Sequence, residues 1–147
     1  MTSDIILFDT NILVYSHNIE SSNYIKAKEL RQSIFSNNIK VALAHQNLLE
    51  FYAIITDPRR VKKPISHEEA LTEIDKYIKS RILIIYSNEN TLTKLIRLIS
   101  YNDIKQSEIF DAYLVATMLT NNVRIIYSDN NEHFEKYKEI KVINPFK

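Results

Sequence analysis

The sequence of 147 residues contains no glycine and no cysteine. Glycine allows a backbone to approach a phosphate closely, so its absence excludes a P-loop and the glycine-rich dinucleotide fingerprint. The absence of cysteine excludes disulfides, thiolate metal sites and thiol nucleophiles. No apolar run reaches the roughly 18 residues of a membrane span, and Met1 to Asp4 lack the basic start of a secretory signal. We therefore expect a soluble, cytoplasmic protein without membrane contacts.

The charge is almost balanced, with a formal net charge of +1 at pH 7. This value does not indicate a class of partner, because a nucleic-acid binder needs its basic groups gathered locally rather than in excess overall. The length is typical of one domain, and 45% of the residues are hydrophobic, which is enough for a core. The sequence predicts a single domain over residues 1–147.

Apolar segments typical of strands alternate along the chain with segments of helical periodicity. Strands separated by helices indicate βαβ units, so we expect an α/β fold with a mostly parallel sheet. The predicted strands are Ile5–Phe8, Lys40–Ala44, Arg81–Tyr86, Val123–Tyr127 and Lys141–Asn144. The predicted helices start at Thr10 or Asn11, at Ser21 (to Asn38), at Gln46 (to Thr56), after a Ser66 cap (to about Lys79), at Glu89 (to Tyr101) and at Ser107 (to Leu119).

Asp9 has the most informative position in the chain. It ends the apolar run Ile5–Phe8 and precedes Thr10 and Asn11, which are good helix-starting residues. The carboxyl end of a strand is where open α/β sheets place their ligand sites. Asp9 could instead serve only as the cap of the following helix, and this stretch alone is compatible with both interpretations.

Two further acids are predicted to face inward from helices. Glu50 has the small or apolar neighbours Ala53 and Ile54 at helical spacing, and Asp111 heads an apolar stripe that continues to Met118. An acid in the first turn, such as Asp111, could instead only interact favourably with the helix dipole. This interaction is worth about 0.3 to 1 kcal/mol and does not require the side chain to face inward.

A fourth group, Ser128, Asp129 and Asn130, follows a predicted strand at its carboxyl end. Two carboxylates about 4 Å apart repel by roughly 4 kcal/mol at an effective dielectric constant of about 20. Acids gathered at one edge of the sheet would therefore take up protons or bind a cation. Oxygen donors without cysteine suit Mg²⁺ or Mn²⁺. The four histidines show no pair at metal-ligand spacing, and we interpret them as surface or packing residues.

The acid-bearing segments together resemble a known family. Phe8–Leu13, Gln46–Tyr52 and Phe110–Ala116 are similar to the three acidic motifs of PIN-domain ribonucleases. The end of the chain resembles a bacterial subgroup, the VapC-like toxins, in Tyr127–Asn130 with His133 and in Val142–Phe146.

The resemblance implies a three-layer α/β/α fold with four to five strands and a Mg²⁺- or Mn²⁺-dependent endoribonuclease activity. Such proteins are usually the toxin of a toxin–antitoxin pair and are inhibited by a small antitoxin protein; a homodimer is compatible with the resemblance. It also implies site roles, with Asp9, Glu50 and Asp111 as metal-binding catalytic acids and Thr10, Asn11 and Ser128 as supporting residues.

The sequence departs from the subgroup at Asn130, where an aspartate is often found. Asp129 lies one position earlier, and successive residues of an extended stretch point to opposite sides. We therefore expect Asn130 to be the neutral fourth metal-site residue and Asp129 to be secondary. The departure leaves open a degenerate nuclease retained for partner binding, and a receiver-like α/β domain is a more distant alternative.

RNA binding requires positive charge near the acids. Arg59, Arg60, Lys62 and Lys63 follow the predicted Glu50 helix closely enough to flank the site. The same run could be a solvated loop.

Overall fold

The computed structural model describes residues 4–36 and 39–147. None of its helices is long and apolar enough to cross a membrane within these ranges. The elements alternate as expected, in the order β1 (Ile5–Phe8), α1 (Thr10–His17), α2 (Tyr24–Phe35), β2 (Lys40–Ala44), α3 (His45–Ile55), α4 (His67–Lys79), β3 (Leu83–Ile85), α5 (Thr91–Tyr101), α6 (Glu108–Thr120), β4 (Ile125–Tyr127), α7 (Asn131–Phe134) and β5 (Lys141–Ile143).

A five-stranded sheet with the order β3-β2-β1-β4-β5 lies at the centre of the fold, and its neighbouring strands are all parallel. The chain moves outward from β1 through β2 to β3 and then continues on the other side of β1 with β4 and β5. The strand order therefore reverses between β1 and β4, where Phe8 is paired with Tyr127. The carboxyl ends of strands at such a reversal form the crevice in which open α/β sheets bind ligands.

Two hydrophobic cores lie on opposite faces of the sheet. Side chains alternate between the faces along a strand, so Leu7 packs with α5 and α6, whereas Phe8 packs with the helices α1 to α4. In β2, Ala42 and Leu43 divide between the two cores in the same way. This arrangement confirms the predicted three-layer α/β/α fold with a parallel sheet.

The predicted elements are present, and the differences lie at their ends. The strand predicted from Val123 begins at Ile125, because the N–H of Val123 donates instead to the carbonyl of Met118 in α6, at 2.9 Å. The helix predicted from Ser21 begins at Tyr24, after a turn. Its predicted last residues, 37 and 38, lie outside the described residues.

Other details depend on single side chains. Ser66 caps α4 as predicted, since its Oγ accepts a hydrogen bond from the N–H of Glu69 at 3.1 Å. The short helix α7 was not predicted; it has only four residues, too few to show a helical period.

Candidate active site

Asp9 lies in the crevice between β1 and β4 and is 7% exposed. Its Oδ1 accepts a hydrogen bond from the N–H of Thr10 at 2.8 Å, which is the helix cap considered above. Its Oδ2 accepts a second hydrogen bond, from Oγ of the buried Ser128 at 2.7 Å. Capping therefore accounts for one carboxylate oxygen only, and the other is held across the sheet from the end of β4.

Burial, and to a smaller extent neighbouring acids, raise the pKa values of two acids in the crevice. Burial raises the pKa of Asp9 to about 6, although hydrogen bonds from Ser128 and Thr10 act in the opposite direction. The charges of Glu50 and Asp111 raise the pKa of Asp9 further. Burial also raises the pKa of Asp111; His133 lowers it, and Glu50 raises it. A cation placed among these groups would relieve the cost of ionising them.

Glu50 reaches the crevice from α3 through a short chain of hydrogen bonds. Oγ1 of Thr10 donates to Oε2 of Glu50 at 2.9 Å and accepts from Nδ2 of Asn47 at 3.1 Å. Asn47 is fully buried, and its Oδ1 accepts the N–H of Ala44 at 2.9 Å. The orientation of Glu50 is thus fixed by residues at the ends of β1 and β2.

Asn47 is a site residue that the sequence analysis missed. The available signal was its position: it is the third residue of α3, and a side chain at that position commonly reaches back to the N–H of the residue before the helix. The pattern argument for Glu50 was wrong in one detail, since Ala53 is exposed. Polar contacts, and not an apolar helix face, hold Glu50 inward.

Asp111 is contributed by the first turn of α6. The apolar stripe predicted behind it is present, with Leu114, Val115 and Met118 buried. Oδ2 of Asp111 lies 3.4 Å from Nδ1 of His133. Gln46, also missed by the sequence analysis, connects the two acidic helices, because its Nε2 donates to Oε1 of Glu50 at 2.9 Å and to the carbonyl of Phe110 at 3.1 Å.

The three acids line one open cavity of about 380 Å³. Asn11 lies beside them, with its Nδ2 at 3.4 Å from both Oδ2 of Asp9 and Oγ of Ser128. The cavity brings together most of the predicted site residues, namely Asp9, Thr10, Asn11, Glu50, Asp111 and Asn130, with Ser128 directly behind Asp9.

Asn130 and Asp129 point to different surroundings. Asn130 is exposed and lines the cavity. The carboxylate of Asp129 turns away to accept hydrogen bonds from the hydroxyl of Tyr15 at 2.7 Å and from Nδ2 of Asn144 at 3.3 Å. The metal-binding role of Asn130 stays a prediction. The secondary metal-binding role of Asp129 also stays a prediction.

Of the four predicted basic residues, Arg60 alone lines the cavity. Nε of Arg59 donates a hydrogen bond to Oδ1 of Asp57 at 3.1 Å, and Nζ of Lys63 lies 3.6 Å from Oε1 of Glu20. Lys62 is exposed and does not line the cavity. The structure therefore does not gather this run around the acids, and its role in RNA binding stays a prediction.

The donor chemistry of the cavity fits a hard divalent cation, because its acidic donors are carboxylate oxygens. In residues 4–36 and 39–147, however, no three His, Asp or Glu side chains converge closely enough to form a metal-binding cluster as they stand. The contacts explain this, because Glu50 accepts hydrogen bonds from Thr10 and Gln46, and Oδ2 of Asp111 lies 3.4 Å from Nδ1 of His133. Burial, with a smaller contribution from neighbouring acids, raises the pKa of Asp9 and of Asp111, and a nearby cation would offset the cost of ionising them.

Acids gathered at the reversal point of a parallel α/β sheet lie where such sheets bind ligands, and a divalent metal held there can assist reactions of phosphate esters. The PIN domain family model matches residues 6–140, and the chain belongs to this family. The match confirms the resemblance found in the sequence, and PIN domains are metal-dependent nucleases. It gives no support to the receiver-like alternative.

Similar proteins cover nearly the whole chain. A VapC ribonuclease of Mycobacterium bovis is 22% identical over 138 residues, which are 93% of this chain and 92% of that protein. The structure of VapC20 from Mycobacterium tuberculosis, a sarcin-ricin loop cleaving toxin, has a TM-score of 0.67 at 15% identity and covers 90% of this chain and 95% of that one. A toxin–antitoxin complex from Klebsiella pneumoniae has a TM-score of 0.65 at 17% identity, with 97% and 98% covered. These two structural matches show the fold.

Proposed function

We propose that this protein is an endoribonuclease that hydrolyses RNA phosphodiester bonds with Mg²⁺ or Mn²⁺, and that it is the toxin of a toxin–antitoxin pair. Residues 1–147 would form one nuclease domain acting in the cytoplasm. The observation that carries the proposal is the placement of Asp9, Glu50 and Asp111, from three elements, around one cavity at the reversal point of the sheet. The VapC ribonuclease and the toxin–antitoxin complex similar to this chain support it.

The side chains of the cavity would have different roles in such a reaction. Asp9, Glu50 and Asp111 would hold the metal, with Asn130 offering a neutral oxygen. A bound divalent metal lowers the pKa of water and neutralises charge that develops on the phosphate. Ser128 and Thr10 fix the two oxygens of Asp9, so its orientation is set before substrate binds. Arg60, at the cavity wall, would attract the phosphate.

Two exposed apolar side chains on the acid-bearing helices α3 and α6 support a protein partner. Leu49 is 68% exposed and Phe110 is 62% exposed, although both are large apolar side chains. Each is the sequence neighbour of an acid that lines the cavity, Glu50 and Asp111 respectively. An antitoxin that covered these apolar side chains would gain free energy from their burial and close the cavity to RNA.

The first prediction tests the activity. Protein purified free of any partner is expected to cleave RNA with Mg²⁺ or Mn²⁺ and to lose this activity in EDTA, because the acids are otherwise left without a counter-charge. Activity should return when excess Mn²⁺ is added back. Cleavage that persists in EDTA would refute the metal mechanism, and no cleavage under any of these conditions would favour the degenerate, non-catalytic alternative.

The second prediction concerns Asn130. Asn130→Asp adds a negative charge to the cavity lining, so the Mg²⁺ concentration for half-maximal activity should fall by about tenfold. Asp129→Asn should leave that concentration unchanged and lower the melting temperature, because Asp129 accepts from Tyr15 and Asn144 instead of facing the cavity. A metal titration of cleavage with both variants measures this. A large increase in the metal requirement on Asp129→Asn, without a decrease on Asn130→Asp, would reverse the assignment.

A further inference from the structure

A second cavity, of about 440 Å³, lies between α5 and the segment from α7 to β5. Four of its lining residues are cationic, and Glu139 is the carboxylate among them. Tyr101, at its edge, is 85% exposed. The cationic residues are Lys94, Arg97, Lys136 and Lys138. We call this the basic cavity.

Part of this positive charge is not neutralised by the protein. Nζ of Lys94 is 2.9 Å from the carboxylate of Glu139, and Nζ of Lys136 is 2.8 Å from that of Glu108. Arg97 and Lys138 are exposed and form no ion pair with a carboxylate within the described part of the chain. The basic cavity therefore offers two free cations to an anionic ligand.

Tyr137 gives independent evidence for a ligand. Its side chain is 2% exposed, yet its hydroxyl has no hydrogen-bond partner among the residues that the structure describes. Burial, followed by the charges of Asp111 and Glu108, raises the pKa of Tyr137 to about 12, so the group stays a neutral O–H donor. A buried donor without an acceptor is costly, and an acceptor oxygen supplied by a ligand would satisfy it.

A third cavity shares lining residues with both the basic cavity and the acidic one. This cavity, of about 340 Å³, shares Asp111 with the acidic cavity. It shares Lys136 and Tyr137 with the basic cavity, and His133 also lines it. The third cavity therefore lies between the acidic cavity and the basic cavity.

We propose that the basic cavity binds the backbone of single-stranded RNA next to the cleaved bond, with Arg97 and Lys138 contacting phosphates and the hydroxyl of Tyr137 donating to a phosphate oxygen. This inference rests on the proposed function. Tyr101 would stack on a base, since exposed aromatic side chains beside a positive groove are the usual combination in single-strand binding. RNA is favoured over an acidic peptide because the third cavity places the basic cavity next to the acids that would cleave the bound strand.

Tyr137→Phe isolates the role of the hydroxyl. We would measure binding of a fluorescein-labelled oligouridylate by fluorescence anisotropy, in EDTA so that no cleavage occurs. The variant should bind about tenfold more weakly, the effect of losing a hydrogen bond to a charged group. Its melting temperature should be unchanged or higher, because the hydroxyl makes no bond within the described protein. Unchanged affinity would overturn the role of the hydroxyl.

The double variant Arg97→Ala/Lys138→Ala tests the cations through salt dependence. Losing two phosphate contacts should reduce the slope of log affinity against log salt by about 1.4. Lys40→Ala/Arg81→Ala is the matched control, because both residues are exposed and line a different cavity at the amino-terminal end of the sheet. The control should keep the wild-type slope. Equal slopes for the wild type and both double variants would overturn the proposal.

The same variants separate this inference from the proposed function. If the wild type cleaves RNA and Arg97→Ala/Lys138→Ala cleaves a long RNA with an unchanged KM, the inference fails alone. If the wild type does not cleave but the double variant loses RNA affinity, the proposed function fails and the binding surface stands. If the double variant changes only the oligomeric state or binding of an antitoxin, this face is a protein interface and the inference is overturned.

Discussion

Asp111→Asn is expected to reduce RNA cleavage by about 10²- to 10³-fold, the usual cost of removing one group that stabilises transition-state charge. Without metal, the variant should be as stable as the wild type or slightly more stable. The reason is that burial and Glu50 raise the pKa of Asp111, so its ionised form is unfavourable in the folded protein. The contact with His133, at 3.4 Å and largely exposed, offsets little of this.

Cleavage rates and metal-free melting temperatures of this variant can be compared with those of Asp103→Asn. Asp103 is an exposed acid in the segment before α6, 3.5 Å from Nζ of Lys105, so its substitution controls for the loss of a surface charge. Asp103→Asn should cleave at the wild-type rate. A lower metal-free melting temperature for Asp111→Asn, with cleavage retained, would favour a helix-dipole role for this acid.

The metal-free protein should also show a pH-dependent loss of stability caused by Asp9. The pKa of Asp9 is about 6 in the folded protein, above its ordinary value of 3.8, so the folded state holds this proton more tightly than the unfolded state. The contribution is therefore fully present below the unfolded pKa and is lost as the pH rises through the folded pKa. The full loss should amount to roughly 3 kcal/mol, of which about 2 kcal/mol falls between pH 4 and pH 7.

Denaturant unfolding in EDTA across this pH range, with Asp9→Asn beside the wild type, isolates the contribution. The asparagine cannot ionise, so the stability of the wild type relative to the variant should fall as the pH rises. Carboxyls remote from Asp9 titrate in both proteins and cancel in the difference. Excess Mn²⁺ should restore the stability of the wild type near pH 7. A difference independent of pH would show that Asp9 is not held in an unfavourable ionised state.

The fold could be predicted from local patterns because each of its main elements carries one. The run Ile5–Phe8 is uniformly apolar, and the sheet buries such runs between two layers of helices. Asp9 was identifiable because it interrupts an apolar run at a strand end. The inward position of Asp111 was visible in the apolar residues that follow it in α6.

The hydrogen bonds that orient the acids could not be predicted in this way. Ser128 and Asp9 are 119 positions apart in the sequence, and Asn47 and Thr10 are 37 positions apart. Such contacts depend on which strands become neighbours, and the alternation of helices and strands leaves the strand order undetermined. Arg59 shows that proximity in the sequence can also mislead. It follows the helix of Glu50 closely, but its side chain is hydrogen-bonded to Asp57 in the structure.

The basic cavity was also beyond prediction from the sequence. Arg97 lies in α5, whereas Tyr137 and Lys138 lie between α7 and β5, and no pattern joins these segments. The missing partner of the Tyr137 hydroxyl is visible only when its surroundings are known. Binding surfaces built from separate elements therefore require the structure, whereas single acids at strand ends do not.

Titration of Mn²⁺ into the metal-free protein by calorimetry tests the central claim most directly, namely that the acids at the reversal point form a metal site. Wild-type protein and Asp9→Asn would be measured side by side. Saturable binding by the wild type, weakened by at least about tenfold in the variant, is the predicted result. Equal affinity in both proteins, or no binding by the wild type, would contradict the account.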